Sequence, residues 1–321
     1  MAAFLAGCSV SSDRFKIDAR FLNMNQADFY VYSPDGVMDG VDTIHVMGGR
    51  FTYEKNIMQD EGIVVIVFPN YSSMPVFVEK GGSISIDANA AKLKDMDITG
   101  TDANEDYTEW RKNTMNMSPL EKAKQAELFI TEHPASPVSR WLVMQHFIVC
   151  QKPNFKKATE LLKLMQKASD SNMRVTRLMQ AMSKVGQVNV GDRLPRFSGV
   201  DIDGKPVTNG EMLNGNTAVC VWATWNYDSQ SQLRQLAYQQ RSETSTHFDK
   251  VVTICLDASI SECRKTLRNC NAENLTTICD TMMWESPLVK AFGVTNVPFN
   301  LKMKNGKVTH RCVPSSELTK L

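Results

Sequence analysis

Residues 219–229 read VCVWATWNYDS. The stretch begins with Val219 to Trp222, a short apolar run of β-strand length, and Gln230 to Arg241 beyond it is helical in composition. The chain is therefore predicted to pass from a strand into a helix within these few residues. Asp228 lies where that helix would begin, and we interpret it as the residue that caps the helix N-terminus.

Short strands and helices continue to alternate towards the C-terminus. Val251 to Leu256 is a second apolar run of strand length, and Ser261 to Asn269 is helical in composition. Farther on, Val297 to Leu301 leads to a turn signal at Asn305-Gly306 and to a last strand, Lys307 to His310. This order predicts an α/β layer with a β-hairpin at one end.

Five short motifs mark the same region. They are GDRLPRF (Gly191–Phe197), DGKPV (Asp203–Val207), WATW (Trp222–Trp225), the segment Gly293–Pro298 and NGK (Asn305–Lys307). In kind and order they resemble the landmarks of the TlpA/ResA-like thioredoxin-fold proteins. The resemblance implies a thioredoxin-like domain over residues 187–321, in a family whose activity is thiol-disulfide exchange.

The resemblance also identifies two positions at which this chain departs from the family. Such proteins carry two cysteines, separated by two residues, directly after the Trp-x-x-Trp segment. In such proteins the helix N-terminus lowers the pKa of the first thiol, which attacks the substrate disulfide. The second thiol then resolves the mixed disulfide that forms. Here the two positions are Asn226 and Ser229, and none of the eight cysteines forms a CxxC pair. We therefore assign no catalytic residue and do not expect an enzyme.

Pro298 matches the cis-proline of the family, which faces the redox motif and pairs with the backbone of a bound substrate. The resemblance implies that a peptide-docking groove, formed by Pro298, Trp225 and Tyr227, persists without the thiol chemistry. Trp222 is expected in the core and Trp225 at the rim, where an indole offers a partner both an apolar face and a polar edge.

The remaining cysteines leave an alternative open. Cys220 and Cys255 can be neighbours on adjacent strands, with Cys279 near the end of a third, so a buried disulfide is conceivable. We interpret these residues as buried structural thiols. Cys263 and Cys312 are the candidates for an exposed, reactive thiol. Neither a metal nor a cofactor is expected.

Residues 9–104 have the alternating pattern of β-strands. Phe15, Ile17, Ala19 and Phe21 keep a period of two, and Gly48-Gly49 separates two strand-like runs as in a hairpin. This pattern predicts a small antiparallel β-sandwich or barrel.

Residues 105–186 are predicted to form a helical connector. Ser118 to Glu121 reads as a capping box with proline at the first helical position, and Ser136-Pro137 begins another helix in the same way. Helical spacing on one apolar face is kept by Ala158, Leu161, Leu162 and Met165.

The two N-terminal segments resemble the β-rich domain and the helical linker that precede thioredoxin domains in envelope lipoproteins of Gram-negative bacteria. This weaker likeness is carried by Phe51–Tyr53, Ile98–Thr101 and Phe129–Ser136. The fold class expected for the chain is therefore α+β and multidomain, with a β-sandwich or barrel, a helical connector and an α/β thioredoxin-like fold.

Residues 1–8 resemble the end of a lipoprotein signal. Leu5-Ala6-Gly7-Cys8 is similar to a lipobox, which implies cleavage before Cys8 and acylation of its thiol. The charged region of a signal peptide is missing, so the true start is expected upstream. The protein is predicted to lie in the cell envelope, on the periplasmic face or at the cell surface, anchored to the membrane through the lipid on Cys8.

The net charge narrows the choice of partner. The 36 Lys and Arg residues nearly balance the 35 Asp and Glu residues, which leaves a net charge of +1 and excludes nucleic acid as an expected partner. Our first hypothesis is a non-catalytic thioredoxin-fold lipoprotein that binds a protein or peptide in the envelope. The alternatives are a TlpA/ResA-type oxidoreductase that uses a non-standard cysteine, and a purely structural spacer in a surface complex.

Overall fold

A computed structural model of the protein describes residues 13–150, 154–168, 173–185, 188, 190–242 and 248–318. Within these ranges the chain forms two compact units. Residues 13–148 and 154–175 belong to the first unit, and residues 149–150 and 176–318 belong to the second. Cys8, with the predicted signal segment, lies outside the described residues. The predicted domain boundaries after residues 104 and 186 remain predictions.

One eight-stranded sheet dominates the described part of the first unit. Its strands are β1 (Arg14–Leu22), β2 (Gln26–Tyr32), β3 (Val41–Met47), β4 (Arg50–Asn56), β5 (Glu61–Val67), β6 (Ser73–Glu79), β7 (Ser83–Asn89) and β8 (Asp97–Thr99), in the spatial order β6-β5-β2-β3-β4-β1-β7-β8. The predicted hairpin at Gly48-Gly49 joins β3 to β4. Both glycines have a positive φ, which a residue without a side chain adopts at little cost.

The sheet curls into a nearly closed, barrel-like form around one apolar core. The predicted alternation in β1 is confirmed, because Phe15, Ile17, Ala19 and Phe21 all bury their side chains in this core. The prediction of a purely antiparallel sheet is wrong at one pair of strands. β1 pairs with β4 in the antiparallel sense along one edge, and β7 pairs with the other edge in parallel, with Ile17 opposite Ile84.

Four α-helices lie wholly within the first unit among the described residues: α1 (Asp102–Thr114), α2 (Pro119–Glu132), α3 (Pro137–Val143) and α4 (Phe155–Ala168). The predicted capping box is confirmed at the start of α2. The Ser118 N–H donates to the Glu121 carboxylate at 2.8 Å, and the Glu121 N–H donates to Ser118 Oγ at 3.4 Å. Ser136 caps α3, and the predicted apolar face of α4 is buried.

Side chains from α1 and α3 fasten these helices to the sheet. The Asn104 carboxamide accepts from the Phe77 N–H at 2.9 Å and donates to the Phe77 carbonyl at 2.7 Å, which satisfies both backbone groups on the edge strand β6. Arg140 on α3 donates to Glu61 on β5 at 2.7 Å, and Arg174 donates to the same carboxylate oxygen at 2.8 Å. The helices are thus attached to the β-sheet within one compact unit.

The second unit alternates strands and helices. Its elements are the part of α5 (Met173–Val185) that follows Val175, β9 (Ser198–Val200), β10 (Pro206–Thr208), β11 (Asn216–Trp222), α6 (Tyr227–Arg241), β12 (Lys250–Cys255), α7 (Ile260–Asn269), β13 (Thr276–Ile278), α8 (Pro287–Ala291), β14 (Phe299–Lys304), β15 (Lys307–Arg311) and α9 (Ser315–Leu318).

The main sheet of this unit has the order β13-β12-β11-β14-β15. β11, β12 and β13 run in parallel, whereas β14 and β15 are antiparallel to their neighbours. This order and these directions are those of a thioredoxin-like fold, as the resemblance implies. The predicted turn at Asn305-Gly306 joins β14 to β15.

Alternate residues of β11 serve two apolar layers. Val219 and Val221 point into one core, which α8 covers, while Cys220 and Trp222 point into the other, which α6 and α7 cover. No helix in the described part of the chain is both long enough and apolar enough to span a membrane.

Candidate functional site

The predicted site lies where the central strand β11 ends and α6 begins. Trp222 is the last residue of β11 and is fully buried. Thr224 and Trp225 follow in a turn at the carboxyl end of the parallel strands, where ligand sites of open α/β sheets are commonly found. The turn places Asn226 directly before α6.

Asn226 is the N-cap of α6. Its Oδ1 accepts from the Ser229 N–H at 2.7 Å, and its Nδ2 donates to the Val297 carbonyl at 3.3 Å. One carboxamide thus satisfies a free N–H group of the helix start and also attaches the helix to the chain before Pro298. The interpretation of Asp228 as the capping residue is wrong, because the extended backbone conformation of a cap is found at Asn226 and Asp228 already lies in the first turn.

Ser229 has no exposed surface. Its hydroxyl oxygen accepts from the Ala223 N–H at 3.4 Å, across the turn that joins β11 to α6. At the two positions where the resemblance expects thiols, both side chains therefore take part in hydrogen bonds with the local backbone.

The Val297–Pro298 peptide bond is cis. Trp225, Val297 and Pro298 are half-buried, whereas 79% of Tyr227 is exposed and Asn296 is exposed as well. We call these five residues the Pro298 surface. The hydrogen bond from Asn226 to the Val297 carbonyl brings the two parts of this surface together.

Cys220 lies inside the sheet on β11, opposite Thr253 of β12 and Asn300 of β14. Burial raises the pKa of the Cys220 thiol. Thiol exchange requires a thiolate, so Cys220 is a poor nucleophile in this position.

A cluster of three cysteines lies in the layer between the sheet and α7. The Sγ atoms of Cys255, Cys263 and Cys279 are all within 4.8 Å of one another, and all three residues are buried. We call this group the thiol cluster. The sequence suggested that Cys255 and Cys279 could approach each other, but it grouped them with Cys220 and proposed Cys263 as an exposed thiol. That proposal for Cys263 is wrong, because the buried face of α7 carries this residue against the sheet.

A buried carboxylate adjoins the thiol cluster. The Cys255 thiol donates to Asp257 Oδ2 at 2.9 Å, while the Thr224 hydroxyl donates to Asp257 Oδ1 at 2.8 Å. Burial raises the pKa of the Asp257 carboxyl to about 6, although these hydrogen bonds act in the opposite direction. Hydrogen bonds from Cys255 and Cys263 lower the pKa of the Cys279 thiol. Thr224 therefore links the turn before Asn226 to the thiol cluster.

The comparison with known families concerns the N-terminal sheet. Residues 15–107 match the family described as "Domain of unknown function (DUF4369)". A comparison with curated protein sequences finds no match.

Several solved structures are similar to the C-terminal part of the chain. A thiol-disulfide oxidoreductase from Bacteroides fragilis is 17% identical over 38% of this chain and 90% of its own, with a TM-score of 0.34. The thioredoxin domain of a thiol-disulfide oxidoreductase from Bacteroides vulgatus is 12% identical over 41% and 93%, with a TM-score of 0.36. A thiol:disulfide interchange protein of the thioredoxin family from Chlorobium tepidum is 20% identical over 41% and 94%, with a TM-score of 0.35.

The two hydrogen bonds of Asn226 predict a graded effect of mutation. Asn226→Ala removes the cap and the bond to Val297, and we expect the free energy of unfolding of the second unit to fall by about 1–2 kcal/mol. Asn226→Ser keeps a side-chain oxygen that can cap the helix by accepting from the Ser229 N–H and loses the bond to Val297, so its loss should be smaller. Urea unfolding monitored by tryptophan fluorescence measures both.

Tyr227→Ala is the matched control, because this side chain is exposed and its removal should change the unfolding free energy by no more than about 0.5 kcal/mol. An Asn226→Ala protein as stable as the unmodified chain would contradict the role assigned to this residue.

Proposed function

We propose that the second unit is a non-catalytic, thioredoxin-fold binding module whose Pro298 surface takes up an extended segment of a protein or peptide. The observation that carries the proposal is the use of Asn226 and Ser229. Both positions serve hydrogen bonds of the scaffold, while Tyr227 and Asn296 next to them stay open to solvent.

The chemistry of the Pro298 surface suits a peptide. Tyr227 and Trp225 offer aromatic faces that bury apolar side chains and polar edges that hydrogen-bond. The Val297 carbonyl accepts one bond from Asn226, and a carbonyl oxygen has a second lone pair for a peptide N–H. Main-chain hydrogen bonds and exposed aromatic residues are the usual means by which an extended segment is bound.

Burial argues against the alternative of thiol exchange through another cysteine. A disulfide substrate must reach the attacking sulfur, and the members of the thiol cluster expose at most 7% of their surface. Cys312 is exposed but does not belong to that cluster. An oxidoreductase would need an accessible pair, so binding without exchange is the function we favour.

Binding to a permanently unfolded, thiol-blocked polypeptide, such as reduced and carboxymethylated lysozyme, tests the proposal. Isothermal titration should show saturable binding to the full chain. Tyr227→Ala should weaken the affinity about tenfold, which is the effect expected for loss of one aromatic contact at the centre of an interface.

Tyr238→Ala is the matched control for this experiment. Tyr238 lies on the same helix, is 70% exposed, and is eleven residues beyond Tyr227. Its replacement should leave the affinity unchanged. The proposal fails if the unmodified chain shows no saturable binding, or if the two tyrosine variants lose affinity equally.

We further propose that the module works in the cell envelope, attached to the membrane through lipid on Cys8. The support is the likeness of Leu5-Ala6-Gly7-Cys8 to a lipobox. In cells grown with radiolabelled palmitate, the chain should carry the label, and Cys8→Ala should abolish it while Cys312→Ala retains it. Label that persists on the Cys8→Ala chain would disprove the anchor.

A further inference from the structure

Three chain elements bring the thiol cluster together. Cys255 is the last residue of β12, and Cys279 directly follows β13. These two strands are parallel and Ile254 lies opposite Ile278, so the next residue on each strand is also side by side. Cys263 lies on α7, which Ser259 caps at its N-terminus and which packs on the same side of the sheet.

The spacing of the sulfurs matches what a bound metal ion needs. A tetrahedral Zn²⁺ with Zn–S bonds of about 2.3 Å holds its sulfur ligands about 3.8 Å apart. The Sγ atoms of the thiol cluster lie within 4.8 Å of one another, and all three cysteines are free thiols. Side-chain rotations that bring the sulfurs closer together by about 1 Å or less would close the cluster around an ion.

A buried carboxylate lies beside the thiol cluster. Asp257 is 3% exposed, and its Oδ2 lies 2.9 Å from Cys255 Sγ, but it is not within 4.8 Å of all three sulfurs. The Thr224 hydroxyl donates to its other oxygen at 2.8 Å and fixes the orientation of the carboxylate next to the Cys255 ligand.

Hydrogen-bond donors already point at the groups that would carry negative charge in a metal site. The Thr224 N–H donates to Asp257 Oδ2 at 3.3 Å, and the Thr224 hydroxyl donates to Oδ1. Burying several anionic groups is costly unless they are paired and hydrogen-bonded, and these donors offset part of that cost.

We propose that the thiol cluster is a Zn²⁺ site, held by the thiolates of Cys255, Cys263 and Cys279. Thiolates bind soft and borderline cations such as Zn²⁺ and Cu⁺, and a carboxylate beside them favours Zn²⁺, since carboxylate oxygen is a hard donor. The three buried thiolates would fill three positions of a tetrahedral Zn²⁺, and the neighbouring Asp257 carboxylate or a water molecule would fill the fourth. The ion joins α7 to the ends of β12 and β13, behind the turn that carries Asn226. The proposal departs from the expectation, drawn from the sequence, that no metal is bound.

Titration of the full chain with Co²⁺, a coloured substitute for Zn²⁺, tests the site. The protein is purified under anaerobic, reducing conditions and freed of metal. We expect the charge-transfer band of cobalt-thiolate bonds and the visible bands of tetrahedral Co²⁺ to saturate at one equivalent, and Zn²⁺ to displace the Co²⁺.

Two variants and one control assign the ligands. Cys263→Ser should lower the Zn²⁺ affinity by more than the 10- to 100-fold that loss of a second-shell partner costs, and Asp257→Asn should lower it by at least tenfold. Cys270→Ser is the matched control, because Cys270 is buried at the end of the same helix but is not part of the cluster. It should bind one Zn²⁺ with the affinity of the unmodified chain.

Alkylation of the unmodified chain gives an independent readout should a variant fail to fold. In mild denaturant, Zn²⁺ should slow the alkylation of Cys255, Cys263 and Cys279 together, and leave the exposed Cys312 unprotected. The proposal is overturned if the reduced chain binds no Co²⁺ through thiolates, if Cys263→Ser binds metal as well as the control does, or if the protein from cells carries a disulfide within the cluster and no zinc.

Discussion

The second unit depends on the Asn226 side chain, whose oxygen and nitrogen both make hydrogen bonds. The Asn226 carboxamide accepts from the Ser229 N–H and donates to the Val297 carbonyl, so it begins α6 and fixes that helix start against the segment before Pro298. A thiol at this position could not make both bonds, because a sulfhydryl is a weak donor and a weak acceptor. Asn226, which stands where the resemblance expects a thiol, thus stabilises the start of α6 and the proposed Pro298 surface.

Buried polar contacts extend this arrangement on either side of β11. Gln232 on α6 and Asn300 on β14 exchange two hydrogen bonds of 2.8 and 2.7 Å within the core. Beyond the end of β12, the strand on the other edge of β11, Asp257 accepts hydrogen bonds from the Thr224 hydroxyl and the Cys255 thiol. Since an unpaired buried polar group is costly, each of these pairs constrains where α6 and the turn before it can lie. A proposed ion in the thiol cluster would add a further constraint from the side of α7.

Local patterns in the sequence were sufficient to predict much of the fold. The period of two in β1, the Gly48-Gly49 turn and the capping box at Ser118 each depend on neighbouring residues, and each is found. The parallel pairing of β1 with β7 depends on strands more than sixty residues apart, which no local pattern reports. The cap was predicted at Asp228 and is found at Asn226. Both residue types are good caps, and the backbone dihedral angles decide which of them takes this position.

The thiol cluster also depends on contacts between distant parts of the chain, which local patterns do not predict. Cys255 and Cys279 could be placed together because they end adjacent strands, but the rotation of α7 about its axis decides whether Cys263 faces the sheet or the solvent. A helical wheel of α7 was the available signal, since Cys263, Thr266, Leu267 and Cys270 fall on one face. The sequence analysis took Cys263 as a candidate for an exposed thiol, and the convergence of the three elements became visible only in the structure.

The most direct test of the account is to restore thiols at the two altered positions. The claim is that the thioredoxin scaffold persists and that Asn226 and Ser229 alone withhold its chemistry. In the reduction of insulin by dithiothreitol, the unmodified chain should not exceed the background rate, the Asn226→Cys/Ser229→Cys double variant should accelerate the reaction, and Asn226→Cys alone should not turn over. An unmodified chain whose turnover is lost on replacing one of its own cysteines by serine, or a folded double variant without activity, would contradict the account.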